Sequence, residues 1–461
     1  MSVLAAFIVP HPPIILPAVG KGEETRIQST INSYKQVAQE IKVLDPDLIV
    51  ITSPHANLHA DWFEVSHGTS ALGNLKHFGV QNVETSVNYD NTFINELIKQ
   101  ASLSNFPTRT SKTNREELDH GTLIPLTFIQ AELPNIKIVC IGLSSLPFSD
   151  HYRLGQLIAR TSDVLQKKIV VVASGDLSHK LTFEGPYGYV KEGPIFDKLV
   201  TDIMRKSDFI QFLKLDPEFC EKAAECGLRS FIIMSGTLDR KAVSPALLSY
   251  EGPFGVGYAV ASFHVVNNDD ERDFLDQYSA QHKIDRDLQK ANEDIYVQLA
   301  RYSIETYVRT GLKAQLPPDL PVELLHNRAG VFVSLHKFDE LRGCVGTIVP
   351  TKRSIADEIN SNGILACSED HRFPPVQADE LDDIDYSVDV LGKSEPIRSK
   401  KELDVHRYGV IVSDGYRRGL LLPDLEGVDT VEQQVSIALR KAGLNYDEPY
   451  ELERFEVVRH K

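Results

Sequence analysis

Three apolar runs in the first 175 residues carry no charged side chain, and each one ends in a turn that bears a histidine. The runs are Val3–Val9, Leu48–Ile51 and Ile169–Ala173. They lead into Pro10-His11-Pro12-Pro13, Thr52-Ser53-Pro54-His55 and Ser174-Gly175-Asp176-Leu177-Ser178-His179. Short continuous apolar runs of this kind read as strands buried on both faces of a sheet. Helical spacing fills the gaps between them. Ile27, Ile31, Tyr34, Val37, Ala38 and Ile41 predict a helix from about Glu24 to Val43, entered from a turn at Gly20–Gly22. Phe93–Ala101, His151–Gln166, Ile195–Met204 and Cys220–Leu238 also read as helices, and Ile136–Leu143 and Ala259–Val266 as strands. This alternation predicts an α/β domain with a mostly parallel or mixed sheet flanked by helices.

The rhythm changes after residue 266. Asn267-Asn268-Asp269-Asp270-Glu271-Arg272-Asp273 is polar and acidic, which suits an exposed connection over 267–285. Asp287–Thr310 has a long amphipathic helical pattern with Gly311 as its stop. Short strands follow at Gly330–Leu335, Ile384–Leu391 and Gly409–Val412, and a last helix at Val431–Ala442 ends at Gly443. Without a regular βα alternation, 286–461 reads as an α+β domain. The expected organisation is thus a domain over 1–266, a linker over 267–285 and a second domain over 286–461.

Composition removes several classes of function. The 461 residues carry a formal net charge of -16, which argues against a nucleic-acid backbone as partner. No long uncharged apolar run predicts a membrane span. No basic stretch precedes the first apolar segment, so it reads as a strand rather than a signal peptide. Five cysteines without repeating spacing do not form a disulfide framework, and reduced thiols in the cytoplasm are the simplest expectation. The oligomeric state stays open.

In open α/β sheets, ligands bind beyond the carboxyl ends of the strands. If the three runs lie side by side and parallel, His11, His55 and His179 converge there, as a metal or proton-transfer site requires. Each alone has a plainer reading: a turn residue, a polar strand end, a helix cap. A fourth candidate is His120 in Leu118-Asp119-His120-Gly121-Thr122, where Asp119 can orient the imidazole. Two imidazoles with one carboxylate form the arrangement of non-haem Fe(II) oxygenases. The carboxylate candidate is Glu225, in Ala223-Ala224-Glu225-Cys226-Gly227-Leu228. On a continuous helix, neighbours point about 100° apart, so Glu225 and Cys226 do not both face one ion. Cys226 is the alternative ligand, and a soft thiolate favours another metal.

Residues 1 to about 266 resemble the catalytic, LigB-type subunit of class III extradiol dioxygenases and, more distantly, the Memo proteins. The resemblance rests on Pro10-His11-Pro12, Ser53-Pro54-His55, Asp119-His120-Gly121 and Ser174–His179. It implies an oxidoreductase with His11, His55 and Glu225 as ligands of Fe(II), zinc and copper being the alternatives. It implies His179 as acid/base with His120 assisting, or both holding substrate oxygens. The implied substrates are a catechol-like molecule and dioxygen, with ring opening beside the two hydroxyls. Two positions depart from the dioxygenase pattern. Ala56 follows His55 where catechol-cleaving members often carry an aromatic. Glu225-Cys226-Gly227 resembles the Memo pattern, in which a cysteine replaces the carboxylate. The alternative reading is therefore a Memo-like metal-binding protein without dioxygenase turnover.

The C-terminal half carries Glu340-Leu341-Arg342-Gly343-Cys344-Val345-Gly346-Thr347, Ala366–Val376 and Arg418-Gly419-Leu420-Leu421-Leu422-Pro423. Arg342 beside Cys344 favours a thiolate, and His371 is a candidate base, so Cys344 is a candidate reactive thiol. The plainer reading is a buried structural cysteine among turn glycines. These segments resemble the AMMECR domain (AmmeMemoRadiSam system protein A) over about 286–461, with His371 where that family usually has proline. The resemblance implies a fusion of two parts of one system, with a radical SAM protein as partner.

Overall fold

The three apolar runs are neighbours in one sheet. In the computed structural model, which describes residues 2–110, 117–337, 340–425 and 427–461, Val3–Val9 pairs in parallel with Ile169–Ser174. Ile169–Ser174 pairs in parallel with Leu48–Ser53, and Leu48–Ser53 with Lys137–Gly142. Every residue of Leu48–Ser53 and Ile169–Ser174 is buried, which is why these strands read as unbroken apolar runs rather than alternating ones. Each buried aliphatic side chain contributes about 1.5–3 kcal/mol. Tyr258–Asn268 pairs antiparallel with Val3–Val9, and Lys241–Glu251 antiparallel with Tyr258–Asn268, so the sheet is mixed. Short strands including Val80–Tyr89 and Ser70–Leu75 extend the other edge.

Helices flank this sheet. The amphipathic pattern before the second strand resolves into a tight 3₁₀ stretch, Glu23–Ile27, and the helix Gln28–Leu44. Its apolar stripe, including Ile31, Tyr34, Val37 and Ile41, is buried. Cys220–Leu238 is not one helix. It divides into Pro217–Ala223 and Leu228–Thr237, separated by a turn in which Ala224 is left-handed at φ 52°. Tertiary hydrogen bonds take up the groups freed by the break. The Ala223 carbonyl accepts from the His179 N–H and the Ser178 hydroxyl, and the Cys226 N–H donates to the Asp176 carbonyl. Helical periodicity is blind to partners of this kind.

The chain divides into two compact units, Met1–Lys283 and Ile284–Lys461. The stretch expected as a linker is largely helical, with a 3₁₀ turn at Asp270–Arg272 and a helix over Phe274–Asn292. The pattern read as one helix from Asp287 is interrupted at Glu293–Asp294. Asp294 caps a new helix, Ile295–Thr310, by accepting the N–H groups of Tyr296 and Val297. Gly311, left-handed at φ 72°, ends it.

The second unit is built on an antiparallel sheet. Its order is Glu340–Gly346, Val331–Lys337, Ile384–Leu391, Glu451–His460, Tyr408–Ser413 and Arg418–Leu421, with Glu395–Ile397 paired to Glu451–His460. Ile304 and Ile359, from Ile295–Thr310 and Ile355–Ser368, share one apolar core with Val331, Val333 and Leu335. Val435 and Leu439 of Val431–Ala442 help form a second core with Val410 and Val412.

Candidate metal centre

Parallel pairing brings the ends of Val3–Val9, Leu48–Ser53 and Ile169–Ser174 level, and the histidine turns meet there. His11 is buried at the end of the first strand, and its Nε2 lies 2.9 Å from His55 Nε2. The His120 ring, at the start of the helix His120–Glu132, stacks on His55 with centroids 3.9 Å apart. Cys226 Sγ lies 3.6 Å from His11 Nε2. His11, His55 and Cys226 each offer a ligand atom within 4.8 Å of the others, and Asp176, His179 and Cys226 form a second such group. Donors held about 2.0–2.3 Å from a common ion lie within roughly 4.6 Å of one another, and the His11–His55 and His11–Cys226 separations are within that reach.

Hydrogen bonding orients these side chains. The Ser174 hydroxyl donates to the Gly121 carbonyl at 2.6 Å, so Ser174 Oγ accepts from His11 Nδ1 at 2.9 Å. That bond fixes the His11 tautomer and leaves the Nε2 lone pair directed at the cluster. The Asp176 N–H donates to Cys226 Sγ at 3.3 Å. Asp176 Oδ1 accepts the His11 N–H at 2.8 Å and so ties two of the strand ends together. Asp119 caps the His120 helix through the Thr122 N–H and accepts from Ser53, whose Oγ also accepts the His55 N–H. Gly121 is needed for close approach, because a Cβ there would collide with Ser53 Oγ.

Electrostatics keep the imidazoles unprotonated, as ligation requires. Burial, then His55, lowers His11 to about 3. Burial, then His55 and His11, lowers His120 to about 4. Burial also lowers His55 and His179. Burial raises Asp176 to about 6, against the pull of the His11 N–H and His179. A cavity of about 910 Å³ opens over the cluster, lined by His11, His55, His120, Asp176 and His179, with Phe78, Tyr187 and Phe254 among its apolar walls. His179 Nε2 lies 4.0 Å from Asp176 Oδ2, and its ring stacks on Tyr187. It sits where a cavity-bound hydroxyl would meet a base.

The structure sets one expected ligand apart from the others. Glu225 does not join the histidines. Its Oε2 accepts the Leu228 N–H at 2.6 Å, and burial raises its pKa to about 7. The break at Ala224 turns Glu225 onto the following helix and Cys226 onto His11. Ser174 and Asp176 are neighbours of the cluster that the sequence shows only as part of the turn Ser174–His179. The signal was their adjacency to the strand end, but the partner each serves lies about 165 residues away.

The C-terminal candidate is arranged otherwise. Cys344 lies on Glu340–Gly346 and accepts from the Ser334 hydroxyl at 3.2 Å. Arg342 does not serve the thiol. Its Nε and Nη2 bond both oxygens of Glu380. His371 makes no hydrogen bond to Cys344 among the described residues; its neighbour Asp370 accepts the Cys344 N–H at 2.9 Å and pairs with Arg372.

The comparisons with known proteins agree on two domains. A family model for the catalytic LigB subunit of aromatic ring-opening dioxygenase matches residues 5–261, and the AMMECR1 model matches residues 297–460. A Clostridium acetobutylicum protein is 39% identical over 469 residues, covering all of both chains. A Thermotoga maritima protein is 54% identical over 171 residues, 37% of this chain and 98% of its own. Among solved structures, a Pyrococcus horikoshii protein is 32% identical with a TM-score of 0.34, covering 36% of this chain and 89% of its own. An Escherichia coli K12 protein is 16% identical with a TM-score of 0.42, covering 56% of this chain and 99% of its own. The chain therefore belongs to the family of the LigB catalytic subunit of aromatic ring-opening dioxygenases, here joined to an AMMECR1 domain.

Proposed function

We propose that the LigB-type domain is a Memo-like metal-binding protein whose centre is His11, His55 and Cys226, and which does not cleave catechol rings. The observation that carries this reading is the position of Cys226, 3.6 Å from His11 Nε2, while Glu225 is engaged by the Leu228 N–H. Two imidazoles and a thiolate suit zinc or copper better than Fe(II), for which two imidazoles and a carboxylate are the usual set. When bound, the ion supplies a Lewis acid at the floor of the cavity. The residues around it hold and deprotonate a small oxygen donor. His179 accepts the proton, Asp176 supports the resulting imidazolium, and His120, packed against His55, orients the ligand. The association of AMMECR domains with radical SAM proteins makes such a protein the partner of this reading.

The second reading is Fe(II)-dependent extradiol cleavage of a catechol-like substrate by dioxygen. It is favoured by the family match over residues 5–261 and by the carboxylate of Asp176 in the adjoining Asp176–His179–Cys226 group. Metal analysis of anaerobically purified protein, with oxygen uptake on a catechol panel, separates the two. Zinc or copper near one per chain, lost in Cys226→Ala and kept in Glu225→Gln, with no uptake, is the expected result. Iron with oxygen uptake and ring-opened product would replace the first reading by the second.

A further inference from the structure

The second unit contains a basic cavity unrelated to its cysteine motif. It has a volume of about 600 Å³ and is lined by Lys313, Arg328, Thr351, Lys352, Arg353 and Asp357. Four cationic side chains thus face one carboxylate, in a chain of net charge -16. Asp357 is engaged locally, accepting from the Ser354 hydroxyl at 3.2 Å. Among the described residues, no ion pair to Lys313, Arg328, Lys352 or Arg353 is found. Elsewhere in this unit arginines are neutralised pairwise, as in Arg342–Glu380, Arg372–Asp370 and Arg459–Asp389.

The loop that presents the charges is held from two sides. Beneath it, fully buried Glu358 accepts the N–H groups of Thr351 and Lys352 at 2.9 and 2.8 Å and the hydroxyls of Thr347 and Thr351. From outside, Arg328 donates to the carbonyls of Lys352 and Pro350 at 3.0 and 3.2 Å. Concentrated like charge on a fixed loop is repulsive unless something neutralises it. A buried carboxylate spent on backbone and hydroxyl donors fixes the loop without cancelling the cations above. Cations without a carboxylate partner, on a loop whose backbone is fixed, around a cavity of small-molecule size suit a compact anion with more than one charge.

We propose that this cavity binds the phosphate groups of a small phosphorylated molecule, at the level of a diphosphate. The acidity of the whole chain disfavours a long polyanion, whose remaining charges would meet a repulsive surface. The test uses the full-length chain and inorganic pyrophosphate, followed by calorimetry and by chemical-shift perturbation. Saturable binding at one site per chain is expected, weakening as salt rises from about 50 to 200 mM. The double variant Lys352→Ala/Arg353→Ala should bind about tenfold or more weakly, because each lost cation removes charge-assisted bonds. Both side chains are exposed, and an unchanged melting temperature would show that the loop is intact. No saturable binding would overturn the proposal. So would binding that the double variant leaves unchanged, which would send the anion elsewhere, the metal centre included. A single-stranded oligonucleotide that binds more tightly than pyrophosphate through the same two residues would also overturn it, in favour of a nucleic acid.

Discussion

Cys226 and Cys344 both sit among glycines in segments that a motif marks, yet their surroundings differ in kind. Around Cys226, atoms able to ligate an ion converge at short range. His11 and His55 present ring nitrogens to each other at 2.9 Å, with the thiol 3.6 Å from one of them. Around Cys344, opposite charges have found one another. Arg372 bonds Asp370, Arg342 bonds Glu380, and the thiol accepts a serine hydroxyl. Buried polar groups left to face like groups call for a missing partner, whereas a closed network needs none. On this contrast the first unit holds the candidate metal site, and the glycine-rich cysteine motif of the second lies within a charge-paired network.

The sharpest way to break this contrast is to remove a ligand. His11→Ala should lower metal affinity by about 100-fold or more, beyond the loss typical of a supporting residue; metal content after dialysis measures it, and full retention would remove His11 from the centre. Ser174→Ala should cost about 10- to 100-fold, since it frees the imidazole to change tautomer. A competition titration against a chelator reads that loss, and an unchanged affinity would mean Ser174 does not set the tautomer.

Two smaller effects concern stability. Gly121→Ala forces a methyl against Ser53 and should destabilise the first unit by about 1–3 kcal/mol, seen as an earlier thermal transition. Glu380→Gln probes the closed network of the second unit. Burial pushes Glu380 up, but the bonds from Arg342, the Gln377 N–H and Lys337 outweigh it and leave the pKa at about 2. A depressed carboxylate stabilises fully above its unfolded pKa of about 4.3 and loses that contribution as pH falls through the folded value. The variant should therefore unfold about 1 kcal/mol more easily at neutral pH, after allowance for solvent screening. The gap should close between about pH 4.3 and 2. A gap that persists at pH 2 would show that packing, not charge, is what the substitution removed.

The strands that carry the centre were legible because they are buried on both faces and lack any competing pattern. Val3–Val9, Leu48–Ser53 and Ile169–Ser174 follow their apolar runs to within two residues. The histidine turns were legible for the same reason, since a polar group closing an apolar run stands out. What local pattern concealed is the role of long-range bonds. The division of Cys220–Leu238 depends on the Asp176 and Ala223 carbonyls finding partners across about 50 residues, and Glu225 was read as a ligand for want of that information. The cap at Asp294 was visible in principle, because an aspartate ahead of an apolar stripe is a helix start. A continuous amphipathic pattern on both sides outweighed it.

The left-handed residue at Ala224 gives the centre an unusual kind of adjustability. A hard ligand and a soft one stand next to each other in the chain, and the turn admits only one of them to the histidines. That Cys226 rather than Glu225 lies beside His11 is thus written in the phase of a turn rather than in the inventory of side chains.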